Sequence, residues 1–341
     1  MEISFLNVFI TVLFLVLLAV PGFILAKTKL VKDGGEKAIS SVVLYVCQPA
    51  LIFLAFQKTS FSPKIGVNML IVAGLALAVH LVMIAFLFLV FRNKKGEGDE
   101  IAAKNRKINA LRFSSVFSNC GFMGIPFLQS LFTGELQGEV LIYGGVVIAV
   151  FNVLTWSIGV YIITGDKKQM SFKKAVLNPT VIGLMLGVIL FFTVQKPIFE
   201  LAGTDTGWAY FMTRFKQSLN FLAEMTTPAS SIVLGIKLAS VPAKDVFLDK
   251  WAYISSFNKL VVMSVISMLI VAFLPVSSVI KYVVFFLLSM PSATSSVMFA
   301  VTFGGDGKSA SVNVLLSTVL CILSVPLMYL LFSGVFGVPI G

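Results

Sequence analysis

The sequence predicts an all-α polytopic membrane protein with ten transmembrane helices, and three observations support this fold class. Aliphatic, aromatic and sulfur-containing residues make up 58% of the 341 residues, and charged residues only 12%, about half the share usual in soluble domains. The mean hydropathy is +0.99. Apolar windows of about 20 residues, long enough to cross a bilayer, recur along the whole chain.

The windows give ten predicted spans, which are numbered here in chain order. Their ranges are 5–26, 38–57, 65–91, 108–132, 139–163, 178–195, 217–238, 251–273, 280–303 and 309–334. Polar or helix-breaking residues interrupt the fourth, seventh and ninth. The first is predicted to be an uncleaved helix, because Glu2 precedes the apolar run and the lysines follow it, the reverse of a signal peptide.

The basic residues predict how the chain is oriented in a cell membrane. Twenty of the 26 Lys and Arg residues lie in or beside the loops that follow odd-numbered spans, and six lie in the other loops. Since loops rich in Lys and Arg stay in the cytoplasm, both termini are expected outside. Membrane orientation therefore accounts for the net charge of +11, which predicts no nucleic-acid partner.

The ten spans divide into two halves of five, which predicts two repeats of opposite orientation. Residues 1–163 form the first repeat, residues 164–177 a basic cytoplasmic linker, and residues 178–341 the second repeat. Because each half holds an odd number of spans, the second half enters the membrane from the opposite side. Inverted repeats of this kind are common in secondary transporters.

Matches between the two halves support this division. Pro49 in span 2 and Pro228 in span 7 are 179 residues apart, and the same offset relates His80 in span 3 to Lys259 in span 8. Spans 4 and 9 are both interrupted, at "SNCGFMGIP" and "SMPSATSS". One such match could arise by chance, but three in register favour a repeat.

The two interruptions are predicted to form a binding site for a small anion. Irregular backbone survives in a membrane only where it is buried or lines a watery cavity, and half-helix N-termini carry partial positive charge. The alternative is a simple kink repaired by nearby Ser or Thr side chains, but two breaks in corresponding spans favour a site. Its candidate residues are Asn119, Cys120, Gly121, Pro291, Ser292 and Thr294, with Asn152 and Asn313 as further lining residues.

The interrupted segments resemble the auxin efflux carrier family, bacterial members included. "SNCGFMGIPFLQSLFTGE" is similar to the family's fourth span, where an Asn precedes a G-I-P run, and "MPSATSSVMFAVTFGGD" is similar to its ninth. "TPASSIVLGIKLAS" resembles its seventh span, and the likeness covers nearly the whole chain. Plant members usually have Pro where Ser118 stands and Gln where Ser292 stands, so the substrate pocket differs from theirs.

The resemblance implies an elevator-like transporter in which the broken helices of spans 4 and 9 cross beside the substrate. Spans 3–5 and 8–10 would form a moving transport domain. Spans 1, 2, 6 and 7 would form a scaffold, through which two copies could make a homodimer. The implied cargo is a small organic anion, a malate-like carboxylate in many bacterial members.

Three ionisable residues within the spans are candidates for coupling transport to an ion. Glu224 precedes Pro228 by four residues. It either takes part in coupling to a proton or Na⁺, or it lies near the end of the scaffold, where it reaches the membrane surface or hydrogen-bonds to a neighbouring helix. Lys259 either reaches the cytoplasm along its aliphatic stem or attracts an anionic cargo. His80, the only histidine, is expected to be a packing residue, since one such ligand makes no metal site.

Catalysis is not predicted. Cys47, Cys120 and Cys321 lie in apolar surroundings without metal-ligand spacing, and the sequence has neither HExxH nor paired intramembrane Asp residues. We therefore expect a secondary transporter without a cofactor, which moves an organic anion by alternating access. The alternatives are a proton- or sodium-coupled uptake permease for dicarboxylates and a membrane sensor without transport. A sensor would need a soluble output domain, whereas the longest polar segment covers only residues 92–107.

Overall fold

The computed structural model describes residues 3–32, 34–201 and 207–336, which fold into helices joined by short loops. The ends of the two predicted repeats, residues 1–2 and 337–341, lie outside the described residues. The helices are α1 (Phe5–Lys27), α2 (Gly35–Lys58), α3 (Pro63–Val90), α4 (Asp99–Val116), α5 (Cys120–Leu131), α6 (Leu136–Thr164), α7 (Phe172–Val176), α8 (Pro179–Thr193), α9 (Gly207–Glu224), α10 (Thr226–Ala239), α11 (Ala243–Leu248), α12 (Lys250–Ala272), α13 (Ser278–Ser289), α14 (Ser295–Thr302) and α15 (Gly307–Phe336).

Six of these helices are long and apolar enough to cross a bilayer, namely α1, α2, α3, α6, α12 and α15. The segment Lys167–Val176, which contains α7, and the following α8 form a seventh candidate that is bent by 47°. The chain is thus a polytopic membrane protein made of helices, and the described residues contain no β-strand. The number of ten spans and the inverted orientation of the halves stay predictions.

The three predicted spans with internal breaks are each divided into two helices. Span 4 becomes α4 and α5, span 7 becomes α9 and α10, and span 9 becomes α13 and α14. Pro291 lies in the gap between α13 and α14, where its missing N–H and fixed φ oppose a continuous helix. In span 7 the helix ends at Glu224 and begins again at Thr226.

The outer surface is rich in large apolar side chains. Phe14, Leu70, Leu89 and Phe221 each expose more than half of their area. A soluble protein rarely exposes contiguous apolar surface on this scale, whereas lipid tails solvate such side chains without cost. The exposed apolar residues therefore mark the faces of the helices that contact the bilayer.

Glycines allow two pairs of helices to approach with their backbones nearly in contact. In α10, a Cβ added to Gly235 would lie 1.8 Å from the carbonyl oxygen of Ala19 in α1. In α8, a Cβ added to Gly183 would lie 2.9 Å from the backbone of Pro49 in α2. Small residues commonly permit such close helix packing in membranes. The helices of predicted spans 1 and 7, and those of spans 2 and 6, therefore form tight pairs.

Packing in the first half of the chain has counterparts in the second. Predicted spans 2 and 6 pack together through α2 and α8, and their counterparts, spans 7 and 1, pack together through α10 and α1. Spans 3 and 5 pack through α3 and α6, and their counterparts, spans 8 and 10, pack through α12 and α15. Spans 5 and 9 likewise pack through α6 and α13, and their counterparts, spans 10 and 4, pack through α15 and α4. Duplicated halves related by a two-fold axis would produce this pattern of pairs.

Four helices contain a widened π-helical turn. These turns are Val43–Cys47 in α2, Cys120–Gly124 in α5, Thr155–Gly159 in α6 and Asn258–Val262 in α12. Pro49 and Pro126 follow the first two turns within two residues, where their missing N–H groups interrupt the regular bonding. Gln48 follows the first turn, Asn119 precedes the second, and Lys259 lies inside the fourth. The widened turns thus mark where polar side chains enter the apolar interior, and such turns are frequent at functional sites.

Candidate functional site

The two interrupted segments meet inside the protein through their backbones. Ser118, between α4 and α5, forms an isolated antiparallel bridge with Ser292, between α13 and α14. The backbone N–H of Asn119 donates to the carbonyl oxygen of Pro291 at 2.7 Å. In return, the N–H of Ala293 donates to the carbonyl oxygen of Phe117 at 2.8 Å. We call this meeting point the crossing. These bonds satisfy backbone groups that would otherwise be unpaired in an apolar surrounding.

At the first break, the backbone of Asn119 is bound but, among the described residues, its side-chain amide nitrogen is not. Its carbonyl oxygen accepts hydrogen bonds from the N–H groups of Met123 (3.2 Å) and Gly124 (2.9 Å). The side chain is only 3% exposed, yet its amide nitrogen has no hydrogen-bond partner in the described part of the chain. Leaving a buried donor unpaired costs about 1–3 kcal/mol. Asn119 is therefore a strong candidate for contact with a ligand. The next residue, Cys120, is buried and has a free thiol.

At the second break, the groups of Ser292 are bound by neighbouring helices. Its N–H donates to Ser317 Oγ at 3.1 Å, and its hydroxyl accepts from Asn313 Nδ2 at 2.9 Å. Asn313 Oδ1 in turn accepts a hydrogen bond from Ser256 Oγ. Thr294 is buried and precedes α14 without a side-chain capping bond. The second break is thus fastened to α12 and α15.

Lys259 brings a basic group to the crossing from α12. Its side chain is fully buried, and Nζ donates to Ser118 Oγ at 2.5 Å and to the carbonyl oxygen of Leu288 at 2.8 Å. Leu288 lies in the last turn of α13, where free carbonyl groups favour a cation. The structure therefore places this amine at the crossing rather than at a membrane surface.

No carboxylate neutralises this basic group among the described residues. The ion pairs found there are Lys104 with Glu100 and Lys107 with Asp249, and neither involves Lys259. A buried ammonium without a counter-ion is costly. A negatively charged ligand at the crossing would supply the missing partner.

The two other predicted coupling residues lie in different places. His80 is fully buried, with Nδ1 2.6 Å from the carbonyl oxygen of Ala76, and its ring centre lies 6.0 Å from that of Phe117. Since Phe117 directly precedes Ser118, His80 lies close to the crossing. Its Nε2 has no hydrogen-bond partner within the described ranges. Glu224, by contrast, is exposed at the end of α9.

One buried residue that the sequence analysis did not select contacts the first break. Gln48 Nε2 donates to the carbonyl oxygen of Gly121 at 2.8 Å, and Gln48 Oε1 accepts from Thr180 Oγ1 at 3.2 Å. Asn178 continues this chain, because its Oδ1 accepts from the N–H of Thr180 and its Nδ2 donates to Asn152 Oδ1. Asn152 is thus linked to the crossing only through other residues. The sequence signal that could have identified Gln48 is a glutamine directly before a proline inside an apolar span.

Metal chemistry has no evident site in the described part of the chain. It contains no group of three or more His, Cys, Asp or Glu side chains that could hold a metal ion. The side-chain groups at the crossing are instead an amide, hydroxyls and an amine. Such groups suit the binding of an oxyanion.

Comparison with known proteins places the chain among transporters. The profile of a family described as "Membrane transport protein" matches residues 7–172 and 164–329. An uncharacterized transporter of Methanocaldococcus jannaschii is 24% identical over 317 residues, covering 93% of this chain and 96% of the relative. An uncharacterized transporter of Methanothermobacter thermautotrophicus is 24% identical over 324 residues, with the same coverage of both chains.

The family match extends over most of the chain, including both breaks and the residues of the crossing. It confirms the resemblance that the interrupted segments indicated. The chain therefore belongs to the membrane transport protein family, which is the auxin efflux carrier family.

Proposed function

We propose that the protein is a secondary transporter that carries a small organic anion across the cell membrane by alternating access. The anion binds at the crossing of α4–α5 with α13–α14. The observation that carries the proposal is the backbone pairing of Ser118 with Ser292 beside the buried amine of Lys259, which has no counter-ion among the described residues.

The chemistry of the crossing suits a carboxylate. A carboxylate accepts hydrogen bonds at both oxygens, and bonds that involve a charged partner are about twice as strong as neutral ones. Asn119 Nδ2 supplies an unpaired donor, and Lys259 supplies a basic group that already reaches Ser118. Thr294 and the start of α14 add a helix N-terminus with partial positive charge.

Alternating access requires one group of helices to move against another. We assign α3–α6 and α12–α15 to the moving group, and α1, α2 and α8–α10 to a fixed scaffold. Two features support this assignment. The pairs α1–α10 and α2–α8 are joined by glycine contacts, and α3, α6, α12, α13 and α15 form a connected set of packed helices.

The driving force follows from the charge of the cargo. A negative-inside potential drives a monovalent anion outward by about 2.3 kcal/mol per 100 mV. Export therefore needs no coupled ion, whereas uptake would need a co-transported proton or Na⁺. Flux measured while the proton and sodium gradients are collapsed separately would distinguish the two.

The proposal is tested with purified protein in liposomes loaded with labelled mono- and dicarboxylates. We expect saturable flux of at least one anion, and a loss of about tenfold or more in Asn119→Ala and Pro291→Ala. Ser130→Ala is a matched control, because Ser130 is exposed at the far end of α5. Undiminished flux in both variants would remove the site, and no flux of any anion in the wild type would remove the function.

A further inference from the structure

Two polar side chains occupy equivalent positions in the two halves and bind the same half-helix. Gln48 and Thr227 directly precede Pro49 and Pro228 and are therefore also 179 residues apart. Gln48 Nε2 donates to the carbonyl oxygen in the first turn of α5, at 2.8 Å. Thr227 Oγ1 donates to Gln129 Oε1 near the end of α5, at 3.2 Å. The helices α2 and α10 thus hold α5 at both ends.

The bond at the start of α5 depends on close approach. Gln48 is 1% exposed, so its amide has been removed from solvent. A Cβ added to Gly121 would lie 3.2 Å from Gln48 Nε2, which is tighter than an ordinary contact. Glycine at this position lets the amide of α2 reach the backbone of α5.

The other half of the interrupted segment is bound to different helices. Ser115, near the end of α4, shares a hydrogen bond of 2.7 Å with Ser255 in α12. Lys107 pairs with Asp249 directly before α12, at 2.8 Å. A movement of α4 with α12 against α2 and α10 would keep these two bonds. It would break the bonds that Gln48 and Thr227 make to α5.

Few polar bonds cross between the proposed scaffold and the moving group. Apart from those of Gln48 and Thr227, the described side chains supply the bonds Asn178–Asn152 and Tyr329–Ile3. Packing of side chains without directional bonds makes up much of the remaining contact between the two groups, as between α1 and α15. The directional bonds that oppose such a movement, among the described residues, are therefore few.

We propose that Gln48 and Thr227 are positioning residues that hold α5 in the present conformation and release it during each transport cycle. This inference rests on the proposed function, because it assumes that one group of helices moves. A neutral hydrogen bond contributes about 1 kcal/mol net, which corresponds to roughly a fivefold change in the ratio of two conformations. Removal of either bond lowers the ratio of the present conformation to the released one by that factor.

The native thiol of Cys120 provides a reporter, since it is buried at the first turn of α5. Full-length protein carrying Cys47→Ala and Cys321→Ser is treated with a maleimide, and the labelling rate of Cys120 is measured. We expect Gln48→Leu and Thr227→Val each to raise the rate about fivefold. Since the two sites are separate, the double variant should show roughly the product of the two effects.

Gln57→Leu is the matched control on the same helix. Gln57 Oε1 accepts from the N–H of Ile198 at 2.8 Å, and this bond joins α2 to the segment between α8 and α9. Its loss should lower the melting temperature without changing the labelling of Cys120. Thr227→Val keeps the shape of the side chain, so it still carries the test if Gln48→Leu does not fold. Unchanged labelling in Thr227→Val, or an equal rise in the control, would overturn the proposal.

This readout requires no anion, so the two proposals can fail separately. Normal anion flux in the wild type together with unchanged labelling in the variants would reject the role of Gln48 and Thr227 alone. Raised labelling in a protein that carries no anion would retain that role and reject the proposed function.

Discussion

The helices α4 and α5 belong to one interrupted segment but are fastened to different parts of the molecule. Ser115 and Lys107 bind α4 to the region of α12, whereas Gln48 and Thr227 bind α5 to α2 and α10. A continuous helix would join these two environments rigidly. The gap between Val116 and Cys120 therefore separates two stretches of the chain that are bonded to different helices.

The two breaks also differ in how completely their groups are bonded. The hydroxyl and the N–H of Ser292 are both bound within the structure, and Lys259 binds a free carbonyl group at the end of α13. The side-chain amide of Asn119 has no partner in the described residues. The groups of Ser292 are thus bound within the protein, whereas the first break keeps, among the described residues, one unpaired side-chain donor that is available to a ligand. The following predictions test this difference.

The largest expected effect is on anion affinity in Lys259→Met. The substitution removes a charge-assisted hydrogen bond to the anion, which contributes about 1.5–3 kcal/mol, so affinity should fall at least about tenfold. Binding of labelled carboxylates to purified protein measures it. Lys259→Arg keeps the charge and serves as the comparison. Equal affinity in wild type and Lys259→Met would show that the amine only supports the end of α13.

Asn119→Ala should separate binding from stability. We expect anion affinity to fall about tenfold, as for the loss of about 1.5 kcal/mol, the lower end of the range for a hydrogen bond to a charged group. The melting temperature should stay unchanged, because the amide nitrogen has no protein partner to lose. Asn313→Ala is the control at the second break. It should lower stability, since it leaves Ser292 Oγ and Ser256 Oγ without their bonds. The reverse pattern would contradict the comparison between the breaks.

Ser255→Ala should affect stability without affecting the movement of α5. Ser255 Oγ bonds to Ser115 Oγ and to the carbonyl oxygen of Leu111, both in α4. Its loss should lower the free energy of unfolding by about 1 kcal/mol, measured by thermal denaturation in detergent. The labelling rate of Cys120 should remain that of the parent. A rise in labelling would mean that α4 and α12 do not move as one unit.

The smallest effect is expected for the ion pair at the start of α12. Burial alone would raise the pKa of Asp249, but hydrogen bonds from Lys107 and from the N–H of Trp251 lower it below its ordinary value of 3.8. Because the folded pKa is the lower one, the stabilisation is present above about pH 4 and is lost as the pH falls through the folded pKa. Asp249→Asn should therefore cost under about 1 kcal/mol at pH 7. At pH 3 it should cost less, and a constant cost across this range would contradict the prediction.

Much of this architecture follows from local properties of the sequence. Composition and window length predict the membrane class. The position of Pro291 predicts where a helix ends, because proline acts on its own backbone. Gly121 and Gly124 lie instead inside the widened first turn of α5. The structure divides the chain at these segments, and the family match agrees with the motifs that they form.

The partners of the site residues could not be predicted in the same way. The bond from Gln48 to Gly121 joins residues 73 positions apart, and that from Lys259 to Ser118 spans 141 positions. No periodicity or propensity encodes such distances without the packed fold. Glu224 shows that exposure is equally hard to predict, because a carboxylate in an apolar span left both a coupling role and an exposed position open, and the end of α9 leaves it exposed.

The bridge between Ser118 and Ser292 is built from main-chain atoms. Such a bridge tolerates exchange of the surrounding side chains, since every residue except proline offers the same N–H and carbonyl groups. Proteins with this framework can therefore alter which compounds they accept by changing a few side chains while the meeting of the two segments persists. A low identity between two such proteins is then compatible with a shared framework and different cargoes.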